Sequence, residues 1–183
     1  QGTLAEEDLR EGLIAAIHGH KLHAVLPASG LHNIGSDYLL NFIANYFPHP
    51  LERGEVNGTT EAEKQGEEVS RKIANSEPVS LFVWKTLADP FAGRISYFKV
   101  MSGVLKNDAH LVNYVSGAEE RLAHISVAQG KNYTELAELQ AGDIGVVAKL
   151  KETQTGHTLG DKGSVIHYPP VSIPEALINF AIE

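Results

Sequence analysis

Beyond Pro78 the sequence never runs long without interruption. Short stretches rich in β-branched and aromatic residues are cut, again and again, by turn residues. The stretches are 79–85 (VSLFVWK), 95–101 (ISYFKVM), 109–115 (AHLVNYV), 120–127 (ERLAHISV), 144–149 (IGVVAK) and 165–168. Gly93, Lys106 to Asp108, Ser116-Gly117 and Ala141 to Asp143 stand at the breaks. Such side chains fit a pleated, half-buried surface. Evenly spaced short strands with little helix predict a closed or nearly closed antiparallel barrel, which also protects apolar edges from pairing between molecules.

The first 50 residues follow a different pattern. Residues 4–18 predict an amphipathic helix. Glu6, Glu7 and Asp8 lie in its first turn, Leu9, Leu13, Ile14 and Ile17 recur at helical spacing, and Gly19 ends it. Leu22 to Leu26 read as a short buried strand, and Pro27 to Gly35 as a loop. Ser36 or Asp37 is placed to cap a second helix, with Tyr38, Leu39, Phe42, Ile43 and Tyr46 on its apolar face and Pro48 and Pro50 at its end. Helix, strand, loop and helix make a piece of an α/β layer with too little core to stand alone. Between the two patterns, 53–77 is poor in large apolar residues and reads as a solvated linker, partly helical from Glu61 to Ile73.

Composition removes several chemistries. The 183 residues include no Cys, which excludes disulfides and thiolate metal sites and fits a reducing compartment. No apolar run is long enough to span a membrane. The opening QGTLAEEDLREGL has neither a basic n-region nor an apolar h-region, so it does not read as a signal peptide. Its lack of an initiator Met is what processing, or a cut from a larger protein, would leave. A net charge of -8 argues against an extended nucleic-acid wrapper but leaves room for a basic patch.

Catalytic constellations are missing. His18, His20 and His23 cluster at a helix end where their side chains diverge, and no HExxH is present, so no metal site is expected. Ser29 has no GxSxG context. Glu119 and Glu120 are adjacent and face apart in a strand, which makes a solvated turn the expected setting. There is no GxxxxGK[ST], hence no phosphate loop. The informative features are glycine turns: Ala88 to Arg94 (ADPFAGR), Ser102-Gly103, Ala141 to Asp143 (AGD) and Thr155 to Leu159 (TGHTL). Amides exposed in such turns can meet phosphates, and Arg94, Lys99, Lys149 and Lys151 could add charge. Ordinary barrel turns with solvated lysines account for the same residues.

The order and spacing of ADPFAGR, SGVLK, AGDI and TGHTL over residues 78–168 closely resemble domain II of elongation factor G and its relatives among the translational GTPases. EEDLREGL through FPHPLE resembles the last part of that family's GTP-binding domain. In it Ser29-Gly30-Leu31 matches the loop whose backbone touches the guanine base, with Gly30 where Ala is usual. The resemblance implies a mostly β chain. Residues 1–52 would end a GTP-binding domain as its C-terminal α/β piece, 53–77 would link, 78–170 would form the domain II β-barrel, and 171–183 would begin domain III.

The resemblance also implies a cytoplasmic parent doing GTP-dependent work on the ribosome, such as translocation. GTP, with Mg2+, would be held by that parent, and none is expected bound to this stretch, which should be inactive as a GTPase. Domain II of the family packs on its own GTPase domain and docks on small-subunit ribosomal RNA. Carried over to that surface are Arg94, Ser102, Gly103, Lys151, Thr155, Gly156 and Thr158. Three departures from the family pattern point to a paralogue of the translocase: the drifted 53–76, the HGHKLH stretch, and His157 where Asp is usual. Ribosome-protection and release-factor-type GTPases share the barrel and stay open as parents. A stand-alone protein-binding module reusing the barrel is the other reading, and it predicts an exposed apolar patch.

Overall fold

The structure is a computed structural model that describes residues 4–61, 66–90 and 93–171. It divides into two compact units, Gln1–Glu52 and Arg53–Glu183.

The first unit is helical. Helix α1 (Glu6–His18) starts at an extended Ala5 with three acidic residues at its positive end. Gly19 closes it by donating its amide to the Ala15 carbonyl at 3.0 Å. Helix α2 (Ser36–Tyr46) starts at Gly35, whose φ of 78° lies in the left-handed region. No side chain caps it, so neither Ser36 nor Asp37 takes the role expected of it. His18 ties the two helix ends together. Its Nε2 donates to the Tyr46 carbonyl at 3.1 Å, and its Nδ1 lies 3.4 Å from Glu52. Residues 22–26 do not form the expected buried strand: among the described residues no strand pairs with them, and Val25 is 93 % exposed. A strand needs a neighbour for its backbone groups, and this unit supplies none.

The second unit carries the strands. In chain order they are β1 (Glu55–Thr59), β2 (Glu68–Lys72), β3 (Ser80–Asp89), β4 (Gly93–Ser102), β5 (Leu105–Lys106), β6 (Ala109–Asn113), β7 (Glu119–Leu122), β8 (Ser126–Gln129), β9 (Asn132–Glu135), β10 (Glu138–Leu139), β11 (Ile144–Ala148) and β12 (Thr158–Gly160). Eight of them form one antiparallel sheet in the order β7-β6-β12-β3-β4-β11-β8-β9, curled into a half-barrel. The small β5–β10 ladder adds Leu105 and Leu139 to its interior. Alternation explains the inner core: Leu81 and Val83 of β3, Phe98 and Val100 of β4, and Val147 of β11 point inward with Leu111, Leu122 and Leu159. The chain is therefore mostly β, as its turn punctuation predicts.

Three local expectations change. Residues 53–77 are not a solvated linker with helix. β1 and β2 pair antiparallel from Glu55↔Lys72 to Thr59↔Glu68. Val56 and Ile73 are buried with Ile166 and Tyr168 in a second core, which also takes Phe82 and Met101 from the outward side of β3 and β4. A few apolar residues suffice to seat this hairpin: Glu55, Glu68 and Lys72 stay exposed, while Arg71 is half-buried and donates through Nη2 to Ser164. Second, 120–127 splits into β7 and β8 around His124, whose φ is 56°. Third, 165–168 is no strand but one bridge, Thr59↔His167, flanked by buried Ile166 and Tyr168. The expected start of a further domain lies outside the described residues from 172 onward.

Candidate functional site

Of the turns singled out in the sequence, Arg94 and Thr155-Gly156 lie toward one end of the sheet, while Ser102-Gly103 and Ala141 to Asp143 lie toward the other. After β11, Lys149 adopts φ 65° and reverses the chain, with its amide on the Arg94 carbonyl at 2.8 Å. Leu150 plugs into the inner core, which leaves the next residues to turn across the rim. Glu120 of β7 holds that turn. Its carboxylate, 3 % exposed, accepts the Lys151 amide at 3.1 Å, the Glu152 amide at 2.8 Å and the Thr153 hydroxyl at 2.9 Å. The expected solvated pair Glu119–Glu120 is thus divided by the strand. Glu119 faces solvent 3.2 Å from His110, and Glu120 is buried.

The buried polar chain continues. Asn113 donates through Nδ2 to Thr153 Oγ1 at 3.2 Å and to His157 Nδ1 at 2.9 Å, while its Oδ1 accepts the amides of Val115 and Ser116. His157 is therefore an acceptor at Nδ1, which requires the neutral imidazole. Burial pushes its pKa below the usual histidine value. The same turn is stitched to β3: Val83 donates to the His157 carbonyl, Gly156 donates to the Val83 carbonyl, and Thr155 Oγ1 accepts the Thr86 amide at 2.9 Å.

Arg94 lies exposed across this end, with Nη1 directed at the carbonyls of Lys151 (3.3 Å) and Thr153 (3.4 Å). Arg94, Lys151, Thr155 and Gly156 are thus brought together, with Lys149 beside them. The other carried-over residues are not. Thr158 is 1 % exposed, and its hydroxyl oxygen accepts the Tyr168 amide. Ser102 is fully buried, with its hydroxyl on the Pro78 carbonyl at 2.7 Å and on Ser80 Oγ at 2.6 Å. Gly103 has φ 77°, and a Cβ there would come within 2.8 Å of the Val79 backbone. Arg94 and Ser102 occupy opposite ends of β4, about 26 Å apart along a strand. The residues missed in the sequence are Glu120, Asn113 and Thr153. Only the exposed Arg94 and Lys151 carry a sequence signal, their charge.

In the first unit, Ser29 and Ile34 exchange both backbone hydrogen bonds, at 2.9 and 3.1 Å, and Ser29 Oγ accepts the His32 amide at 3.3 Å. This closes a tight loop that projects Gly30 and Leu31, the latter 89 % exposed. Among the described residues no three His, Asp or Glu side chains gather as metal ligands, and no helix is long and apolar enough to cross a membrane.

Comparison with known proteins places this geometry. Residues 78–162 match the family described as elongation factor G domain 2. The fold resembles a crystal structure of a protein from Thermus thermophilus, with a TM-score of 0.72 and 25 % sequence identity over 96 % of this chain. The chain spans 24 % of the length of that structure. The barrel of this chain is an elongation factor G-like domain II, a domain of the translational GTPase type.

Proposed function

We propose that the barrel docks its Arg94–Lys151 end on small-subunit ribosomal RNA, within a factor that performs GTP-dependent translocation or a related ribosomal step in the cytoplasm. The observation that carries this reading is the Glu120 anchor. A buried carboxylate pins the 151–153 turn through three hydrogen bonds, so two exposed cations, Arg94 on β4 and Lys151 in the turn, are held at one rim. Phosphate contacts of this kind position a protein without reading sequence. They also need only a local patch on an acidic chain. Thr155 and Gly156 shape the rim beside the cations. Ser102, Gly103 and Thr158 support the barrel from within and are not assigned an RNA contact.

Ser29, Gly30 and Leu31 fit the guanine edge of GTP. Their loop is closed by its own backbone bonds and projects outward. The chain holds no phosphate loop, so hydrolysis and Mg2+ binding belong to segments other than these residues. Binding to small ribosomal subunits, measured by co-sedimentation across a salt series, tests the docking surface. Arg94→Gln and Lys151→Gln are each expected to weaken binding and to reduce the salt slope by about 1. Unchanged binding and slope in the double variant would overturn the assignment.

A further inference from the structure

The outward side of β3, β4 and β11 bears a groove that the docking surface does not use. Trp84, the one tryptophan of the chain, sits where the β3–β4 register slips. Val83 faces Phe98 and Lys85 faces Tyr97, which leaves Trp84 as the extra residue of a bulge. Bulges re-aim side chains, and here the indole is 41 % exposed. Tyr97 lies beside it, ring centroids 5.5 Å apart and planes at 51°, and is steadied by the Tyr133 hydroxyl at 3.3 Å. Phe82, Met101 and Ile144 line the groove next to Trp84, and Arg53 and Lys99 flank it. Lys99 stands in register between Phe82 and Ile144. Against these two cations the groove has one carboxylate, Glu55. No ion pair engages Arg53 or Lys99 among the described residues. A locally positive groove on a chain of net charge -8 is selective for an anionic partner.

From this juxtaposition we infer that the groove holds one unstacked nucleotide of single-stranded RNA, its base on Trp84 and its flanking phosphates on Lys99 and Arg53. A flat aromatic face with adjacent cations is the chemistry that receives splayed-out bases. An apolar peptide side chain would cover the indole but leave both cations without an acceptor. The site shares no residue with the Arg94–Lys151 rim and does not rest on the ribosome reading.

The single tryptophan makes the test direct. Titrating the chain with a short oligouridylate, whose bases are unstacked, should quench Trp84 fluorescence saturably. With two phosphates engaged, affinity should fall about sevenfold between 50 and 200 mM salt. The same strand annealed to oligoadenylate should not quench. With a labelled oligouridylate followed by anisotropy, Trp84→Leu should bind about tenfold more weakly or worse. Trp84→Phe should stay close to the parent, which separates lost stacking from lost folding. Lys99→Gln should shallow the salt dependence.

Equal binding of duplex and single strand, or full affinity in Trp84→Leu, would overturn the inference. So would quenching by an acidic, leucine-rich peptide in place of the oligonucleotide, which would make the groove a protein site. The Arg94→Gln, Lys151→Gln double variant should keep the Trp84 response, so the two surfaces fail or stand separately.

Discussion

Helix α2 and strand β4 have nearly the same length, 11 and 10 residues, and both are rich in aromatic and branched side chains. None of the residues of α2 is buried, while β4 buries five. The difference lies in their neighbours within each unit, not in their composition. β4 is paired on both sides, by β3 and β11, and the curl of the sheet turns its inward residues onto side chains from several other strands. α2 has only α1 and its own loops, so Leu39, Ile43 and Phe47 stay open to solvent. An amphipathic helix draws its stability from the surface it packs on. A curled sheet brings much of that surface with it.

The sharpest way to break this comparison is to empty one matched position in each element. Phe98→Ala, at a site 1 % exposed, is expected to cost about 3–5 kcal/mol. Phe42→Ala, whose half-buried ring stacks on Tyr46 and meets Phe47 edge-on, should cost less, about 1 kcal/mol. Urea unfolding followed by Trp84 fluorescence reads the barrel unit specifically, and far-ultraviolet circular dichroism at the helix band reads the helical one. Equal losses would show that the helical unit has a core of its own. The next contrast lies within one strand. Glu120→Gln keeps one acceptor oxygen but turns an amide donor against at least one of the three donors, and should cost about 2–3 kcal/mol. Glu119→Gln, one residue away and exposed, should cost at most about 0.5 kcal/mol by the Trp84 measurement.

The smallest expected effect is a pH dependence. Burial lowers the pKa of both His157 and His167, with Glu61 partly opposing it at His167. Unfolded histidine titrates near about pH 6.5. Below that, the unfolded chain takes up protons that the folded barrel resists. The stability from the neutral imidazoles is therefore complete above about pH 6.5 and is lost as pH falls through the folded values. The urea midpoint should drop on acidification from about pH 7.5 to 5. His157→Gln should drop less. A midpoint indifferent to that substitution would remove His157 from the account. Tyr114 belongs to the same wall but not to this window: burial pushes its phenol up to about 12.

Much of the barrel is legible in residue order. The long runs 79–85, 95–101 and 144–149 fall on β3, β4 and β11, where alternation and β-branched content are strongest. The short strands β5, β10 and β12 are not legible, because two or three residues carry no period. β12 overlaps the end of TGHTL, which reads as a turn until its ladders with β3 and β6 are seen. β1 and β2 are missed because their few apolar residues sit in a charged, glycine-bearing run, and their partner residues, Ile166 and Tyr168, lie about a hundred positions away.

The candidate site divides in the same way. Arg94 and Lys151 are visible by charge and by their motifs. The buried state of Ser102 and Thr158 is not, since a hydroxyl residue in a turn motif reads the same whether it faces water or the core.

Residue order alone settles the class of the chain: short β runs, turns at their breaks, a motif order shared with elongation factor G domain II, and no phosphate loop. These are local properties, set by side-chain period and backbone freedom over a few residues. Folding in three dimensions settles which carboxylate is buried, which turn residues share a rim, and that 53–77 forms a hairpin. Those outcomes depend on partners far away in the chain, as the bond between Glu120 and Thr153, 33 residues apart, makes plain. Desolvating a carboxylate is tolerable only where such donors converge, and their convergence is a property of the folded sheet.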